Sequence, residues 1–401
     1  MKKILVFILS AAMLLSFAAC NDGQGEETEM TNESTTAAET TANETTKPAD
    51  ATSEETTAPD DMEQDIEVIS PENNAKVILA NDDVYGWYKD FRWKKTDSEP
   101  FYQHADIYYP IPVAFEWQGV DGAQYYRVYI STNEDMSDAE SYLLNETKLE
   151  ISTLFTGTKY YWQIDAVCAE ETVRSSVHTF TTANSIRAIF VEGVSNTRDA
   201  GGYDTVDGGR MKQGMIYRGG KLEGITEKGI ETFHDVLGIK TDLDLRTTGE
   251  GGAGVRSPLG DDVNYINLDG RYYLGAKGID SDEGKKIIAD EIRVFVDPAN
   301  YPVYVHCSLG RDRTGTIILI LQGLVGVGKN EIMMDYEFSI FSVTGTLDNA
   351  SISALRNNID SAYHYLNKLP GDTFAESVEY YLLSCGITAE EIQAIRDNLT
   401  E

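Results

Sequence analysis

Cys307 and Arg313 are separated by five residues in the run HCSLGRDRTG, His306 to Gly315. A thiol attacks only as its thiolate, and a free cysteine titrates near about 8.5; a helix N-terminus or a nearby cation can bring that to roughly 3.5–7.5. Both aids are expected here. The apolar run YPVYV reads as a strand entering the cysteine, TGTIILILQGLVG reads as an apolar helix leaving the loop, and Arg311 and Arg313 lie between. A phosphoryl group carries about two negative charges and three acceptor oxygens, so it calls for converging donors. The backbone N–H groups of Ser308, Leu309, Gly310, Arg311, Asp312 and Arg313 can supply them as a nest at a helix start, with Gly310 relieving the backbone. Arg313 adds a planar, two-pronged donor that lysine would not replace. Thr314 stands where it can hydrogen-bond the sulfur. His306 can brace the loop from behind, and reads either as a direct influence on the thiol or as a satisfied core histidine.

The fuller string resembles the signature of the protein tyrosine phosphatase superfamily, His-Cys-x-x-Gly-x-x-Arg-Thr. A narrower resemblance rests on SNTRDAGGY (Ser195–Tyr203), IYRGGKL (Ile216–Leu222), TDLDLRTTGE (Thr241–Glu250) and the loop aspartate Asp312. Their order is similar to that of a bacterial tyrosine phosphatase family with an Asn-x-Arg-Asp-x-Gly-Gly segment and a Gly-Lys-Asp-Arg loop. The resemblance runs from about Ile186 to the C-terminus, and Arg311 replaces the family's usual lysine. It implies a two-step reaction without metal or cofactor, in which Cys307 takes the phosphoryl group, an acid protonates the leaving oxygen, and water releases phosphate. The implied substrate is a phosphorylated protein, with phosphotyrosine leading, or an inositol phosphate or phosphoinositide. No Trp-Pro-Asp loop is visible, so Asp312 and Asp244 are the two candidate acids, each with an alternative use as a structural carboxylate. Arg198 and Asp199 read as structural. A different class of function, an adhesion protein that only binds phosphorylated ligands, has no need of the intact Cys307 and Arg313.

The elements around the loop predict an α/β domain, a central sheet flanked by helices, over residues 184–401. Thr226 caps a helix through Leu237 with Gly238 as its stop; IKTDLDLR is a strand; Ser281 caps a helix with Ile288, Ile292 and Phe295 facing inward. The cysteine loop then falls at the carboxyl end of a strand, where such sheets place their sites. GLVGVGKN, Gly323 to Asn330, nearly matches a nucleotide-binding loop, but it follows a helix and Asn330 stands where a hydroxyl is required. Histidines and carboxylates show no metal-ligand spacing.

Residues 66–183 predict an all-β sandwich. Val113, Phe115 and Trp117 alternate, GVDGA turns the chain, and Tyr126, Val128 and Ile130 alternate again. With the spacing from Leu154 to Tyr160, these strands resemble a fibronectin type III domain, and the chain is thus expected to be multidomain. Cys168 continues the inward register of Trp162, Ile164 and Ala166, so a buried, inert thiol is expected. The aromatic segment YGWYKDFRWKK reads either as a contact surface for protein or carbohydrate or as packing over the sandwich edge.

At the N-terminus, Lys2 and Lys3 precede an apolar run ending in SFAAC, which predicts a lipoprotein signal peptide over 1–20 with Cys20 as the lipidated residue; Phe17 departs from the usual leucine. Residues 21–65 form a Thr/Glu-rich linker; from Asn21 to Glu67 about 15 acids face Lys47 alone, too polar to fold. The expected setting is the outer face of a bacterial membrane, with a secreted form as the alternative. A net charge of −33 argues against nucleic acid as a partner.

Overall fold

Large apolar side chains at every second position build the N-terminal module, because successive side chains of a strand point to opposite faces. The computed structural model describes residues 66–93, 109–272, 274–342 and 349–401. The expected signal peptide 1–20, Cys20 and the linker 21–65 lie outside the described residues. The first strands are β1 (Val68–Ser70) and β2 (Ala75–Val77), followed by helix α1 (Asp82–Asp90). Then come β3 (Val113–Trp117), β4 (Tyr125–Ser131), β5 (Glu140–Leu144), β6 (Lys148–Ile151), β7 (Lys159–Val167), β8 (Thr172–Arg174) and β9 (His178–Thr182). One sheet has the order β1-β3-β6; the other runs β2-β9-β7-β4-β5, with β8 on β7. Their inner faces meet at Phe115, which packs edge-on against Trp162 at 5.0 Å between ring centroids. Tyr160 fixes the corner, its hydroxyl accepting the Phe155 N–H at 2.7 Å. The sandwich is as expected, but Cys168 is half-buried rather than buried, because β7 stops at Val167 and the inward register ends there.

The α/β domain comprises β10 (Arg198–Asp199), β11 (Ile216–Gly219), α2 (Glu227–Glu231), β12 (Thr241–Asp244), β13 (Asn264–Asn267), α3 (Gly275–Asp280), α4 (Asp282–Ile292) and β14 (Val303–His306). It ends with α5 (Asp312–Leu324), α6 (Lys329–Glu337), α7 (Asn349–Leu366), α8 (Phe374–Ser384) and α9 (Ala389–Leu399). The sheet order is β10-β11-β14-β12-β13, parallel except for β10 at the edge. β14 is central and buried on both faces: Val303 and Val305 enter the larger core with α4 and α5, while Tyr304 joins Phe233 in the smaller core opposite. Ser281 caps α4, as its sequence position predicts. The helix capped by Thr226 differs from expectation, since α2 ends at Glu231 and continues to Val236 as a wider π-helical turn before Gly238. Gly323 to Asn330 is the turn from α5 into α6, in keeping with its rejection as a nucleotide loop.

The two modules are bonded to each other. The Thr156 N–H donates to Gln213 Oε1 at 2.9 Å and the Thr156 carbonyl accepts from Gln213 Nε2 at 2.9 Å. Arg187, which pairs with Asp199 at 2.8 Å, also donates to the Leu154 carbonyl at 3.2 Å. Helix α1 makes a second link, and its aromatic residues pack on the α/β domain instead of over the sandwich edge. Val84 and Phe91 belong to the larger core of the α/β domain, with Trp87, Tyr88 and Trp93 packed against it. Residues 94–108 of that stretch lie outside the described residues.

Candidate active site

β14 delivers Cys307 to the middle of the sheet's carboxyl edge, and α5 begins five residues later at Asp312. Between them the backbone must turn tightly enough to aim its N–H groups at one point. Gly310 makes this possible with φ +66°, and a Cβ there would lie 2.0 Å from the Gly219 carbonyl oxygen, so both conformation and space require glycine. Four loop carbonyls are held from the β11 side. Ser308 accepts from the Lys221 N–H at 3.3 Å, Leu309 from Asn196 Nδ2 at 2.8 Å, and Gly310 and Arg311 from Arg218 Nη2 at 2.9 and 3.2 Å. Carbonyls fixed outward leave the N–H groups of the same peptides turned to the opposite side, the geometry of an anion nest.

Beneath this loop lies a buried charge cluster. Arg198 Nε is 3.1 Å from Asp335 Oδ1, and Arg218 Nη1 pairs with Asp335 Oδ2; all three side chains are essentially inaccessible. Burial, together with the charge of Arg198, lowers the Arg218 pKa to about 10 against the opposing pull of Asp335. Two guanidinium groups against one carboxylate leave a net positive charge under the nest, where the low dielectric strengthens its effect on a thiolate or phosphate.

Cys307 is 4% exposed. Burial alone would raise its pKa, but the Arg313 charge, the Thr314 hydroxyl and N–H, and the Leu309 N–H together hold the thiol below its ordinary value. His306 points away from the reaction side: its Nε2 is 2.9 Å from Asp242 Oδ1, and its ring stacks on Tyr304 at 5.5 Å. Desolvation pushes the imidazole down, yet Asp242 and Asp244 outweigh it and raise the pKa. The ring is buried and paired with Asp242, with Nδ1 3.4 Å from the Cys307 carbonyl oxygen.

Arg313 reaches across the loop to a residue that sequence reasoning missed. Its Nη1 and Nη2 donate to Glu250 Oε2 and Oε1 at 2.8 and 2.9 Å, and Ser308 Oγ also donates to Oε1. These bonds from Arg313 and Ser308 lower the Glu250 pKa to about 2. Glu250 ends the quoted segment TDLDLRTTGE, but the span of 63 residues between the partners carries no local pattern.

The two candidate acids separate clearly. Asp244 is fully buried; its oxygens accept from Arg246 Nε and Nη2 at 2.9 and 2.8 Å and from the Tyr265 hydroxyl at 2.9 Å. Burial pushes its pKa up, but the Arg246 bonds and the His306 charge bring it below the ordinary value. Its bonds fit the structural use that was its alternative, ordering Arg246 and the β12 end. Asp312 is half-buried in the first turn of α5 and accepts from the Tyr336 hydroxyl at 2.6 Å. The buried Arg311 guanidinium lies over the Tyr336 ring at 5.0 Å and 3.8 Å from Glu337, and none of its three nitrogens makes a hydrogen bond to a described residue.

The sequence model of the tyrosine phosphatase family matches residues 189–401, the stretch that holds every side chain just described. The chain belongs to the tyrosine phosphatase family. It is similar to a tyrosine-protein phosphatase of Cupriavidus necator, 26% identical over 36% of this chain and 59% of that protein. A tyrosine-protein phosphatase of Dictyostelium discoideum is 33% identical over 13% of this chain and 31% of its own length. The chain thus spans less than two thirds of either relative. Among solved structures, the core catalytic domain of the PP-IP phosphatase Siw14 from S. cerevisiae is 16% identical, covering 43% of this chain and 94% of that one, with a TM-score of 0.25. A fibronectin type III-like protein from Clostridium thermocellum is 23% identical over 18% of this chain and 79% of its own, with a TM-score of 0.16. Within this tyrosine phosphatase family member, Asn196 and Arg218 lie in the quoted segments SNTRDAGGY and IYRGGKL, whereas Asp335 comes from α6, 117 residues from Arg218, and gave no sequence signal.

Proposed function

We propose that this protein hydrolyses phosphomonoesters through a phosphocysteine intermediate, most readily those of phosphotyrosine. The observation that carries this reading is a thiol held below its ordinary pKa within an outward-bonded loop and beside Arg313. The Cys307 thiolate attacks phosphorus as the ester oxygen leaves; Asp312 supplies that oxygen's proton and then takes one from the water that attacks the phosphocysteine. Loop N–H groups and Arg313 hold the three equatorial oxygens, where charge stabilisation and positioning supply most of the acceleration. Depth supports an aryl ester: with Cys307 4% exposed, the long phosphotyrosyl side chain reaches the sulfur more easily than a short seryl one. The rival reading, an inositol phosphate or phosphoinositide, draws on Arg311, whose buried guanidinium lies over Tyr336 and 3.8 Å from Glu337 with no hydrogen bond from its three nitrogens to a described residue.

The test is hydrolysis of a phosphotyrosyl peptide, a phosphoseryl peptide and inositol phosphates, without added metal, by the wild type and Cys307→Ser. Equal activity of the variant sinks the mechanism, and activity on inositol phosphates alone sinks the leading substrate. We further infer export and anchoring through a lipid on Cys20 at the outer face of the cell membrane. Loss of membrane association and of fatty-acid labelling in Cys20→Ala is the expected outcome; release of the unaltered chain into the medium supports the secreted alternative.

A further inference from the structure

We propose that helix α1, carried by the N-terminal module, positions the phosphate loop of the catalytic domain, with Trp87 as its principal contact. Trp87 packs against Phe341 at 5.0 Å and Phe338 at 6.1 Å between ring centroids, and is itself backed by Phe91 at 4.9 Å. The Phe338 ring lies 5.5 Å from the Arg198 guanidinium. Arg198 donates to the Asn196 carbonyl at 3.1 Å and the Asp335 carbonyl at 2.7 Å, and Asn196 Nδ2 donates to the Leu309 carbonyl of the loop. Ser339, next to Phe338, also receives Asn196 Nδ2 at 3.2 Å. Continuous packing therefore runs from α1 to a carbonyl two residues past Cys307. Beyond α1, Trp93 Nε1 donates to Asp360 Oδ1 on α7 at 2.9 Å.

The family match begins at residue 189, so this support comes from outside the matched catalytic region. Densely packed interiors transmit small displacements, and catalytic donors tolerate little error in aim. Removing the Trp87 ring empties the space beneath Phe338 and frees Arg198 and Asn196 to shift. Trp87 is a positioning residue, since nothing places it against the reacting atoms.

This proposal rests on Cys307 being the nucleophile, which Cys307→Ser tests separately in the same assay. The full chain is compared with Trp87→Ala, Trp87→Phe and the exposed-face control Asp83→Asn, reading kcat and KM on an aryl phosphate and the pH dependence of Cys307 alkylation by iodoacetamide. Trp87→Ala is expected to lower kcat about tenfold and move the alkylation midpoint upward, as the loop donors lose their aim. Trp87→Phe restores most of both, and Asp83→Asn matches the wild type. A folded Trp87→Ala protein with a lowered Tm but wild-type kcat and alkylation profile overturns the proposal. Should Trp87→Ala fail to fold, Trp87→Leu is judged by the same readings, and unchanged values overturn it equally.

Discussion

Glu250 grips Arg313 through both terminal guanidinium nitrogens, at 2.8 and 2.9 Å, while Ser308 of the same loop donates to one of its oxygens. The arginine is thus oriented before any phosphate arrives. A preoriented donor costs less to use than one that must be ordered during the reaction. Glu250→Ala should therefore lower kcat on an aryl phosphate by about tenfold, with Glu250→Gln intermediate. The contrary result, an unchanged kcat with a lower KM, would show that the carboxylate competes with phosphate instead of aligning its receptor.

The Cys307 thiol should react with iodoacetamide at a pH where an ordinary cysteine, at about 8.5, is still protonated. Arg313 and Thr314 lower its pKa by favouring the thiolate, so removing either raises it. Thr314→Ala should shift the acid limb of kcat/KM and the alkylation midpoint upward together. Movement of one without the other would separate the titrating group from the nucleophile.

Gly310 and Arg218 hold the loop by different means, and their variants should fail differently. Gly310→Ala places a Cβ 2.0 Å from the Gly219 carbonyl oxygen at a left-handed φ, so activity should fall at least a hundredfold while the distant sandwich is untouched. Arg218→Met releases two loop carbonyls and breaks one pair of a buried cluster. Such a loss destabilises by about 3–5 kcal/mol, which denaturant unfolding of the catalytic domain should register. A wild-type midpoint would mean the cluster contributes nothing to stability.

Asp312 and Asp244 can be told apart by leaving group. If Asp312 gives the proton, Asp312→Asn should slow esters of poor leaving groups much more than activated aryl esters. Asp244→Asn should instead lower stability and affect both ester classes alike. The Asp244 pKa is depressed in the folded chain, so its stabilisation is present above the unfolded value of about 3.9 and is lost as pH falls through the folded value. Acid unfolding of wild type and variant should therefore converge at low pH.

Local chemistry made much of this protein legible. The alternation of Phe115 and Trp117, the apolar strand Val303–His306 and the glycine of the loop are constraints that act over a few residues, and each leaves its mark in the chain. So does the pairing of Cys307 with Arg313, since one turn of backbone must carry both. The family segments SNTRDAGGY and IYRGGKL were visible too, but not what they do, because Asn196 and Arg218 act on carbonyls about 90 to 110 residues away.

Other assignments depended on three-dimensional proximity. That Arg246 and Tyr265 bond Asp244, and that the Arg311 guanidinium lies over Tyr336, are set by residues brought together only in the fold. Glu250 and Asp335 gain their importance from partners 63 and 117 residues distant. Trp87 shows the same division. Its aromatic type favours burial, while which core it enters depends on how two modules close on each other, a non-local packing choice with no periodicity to record it.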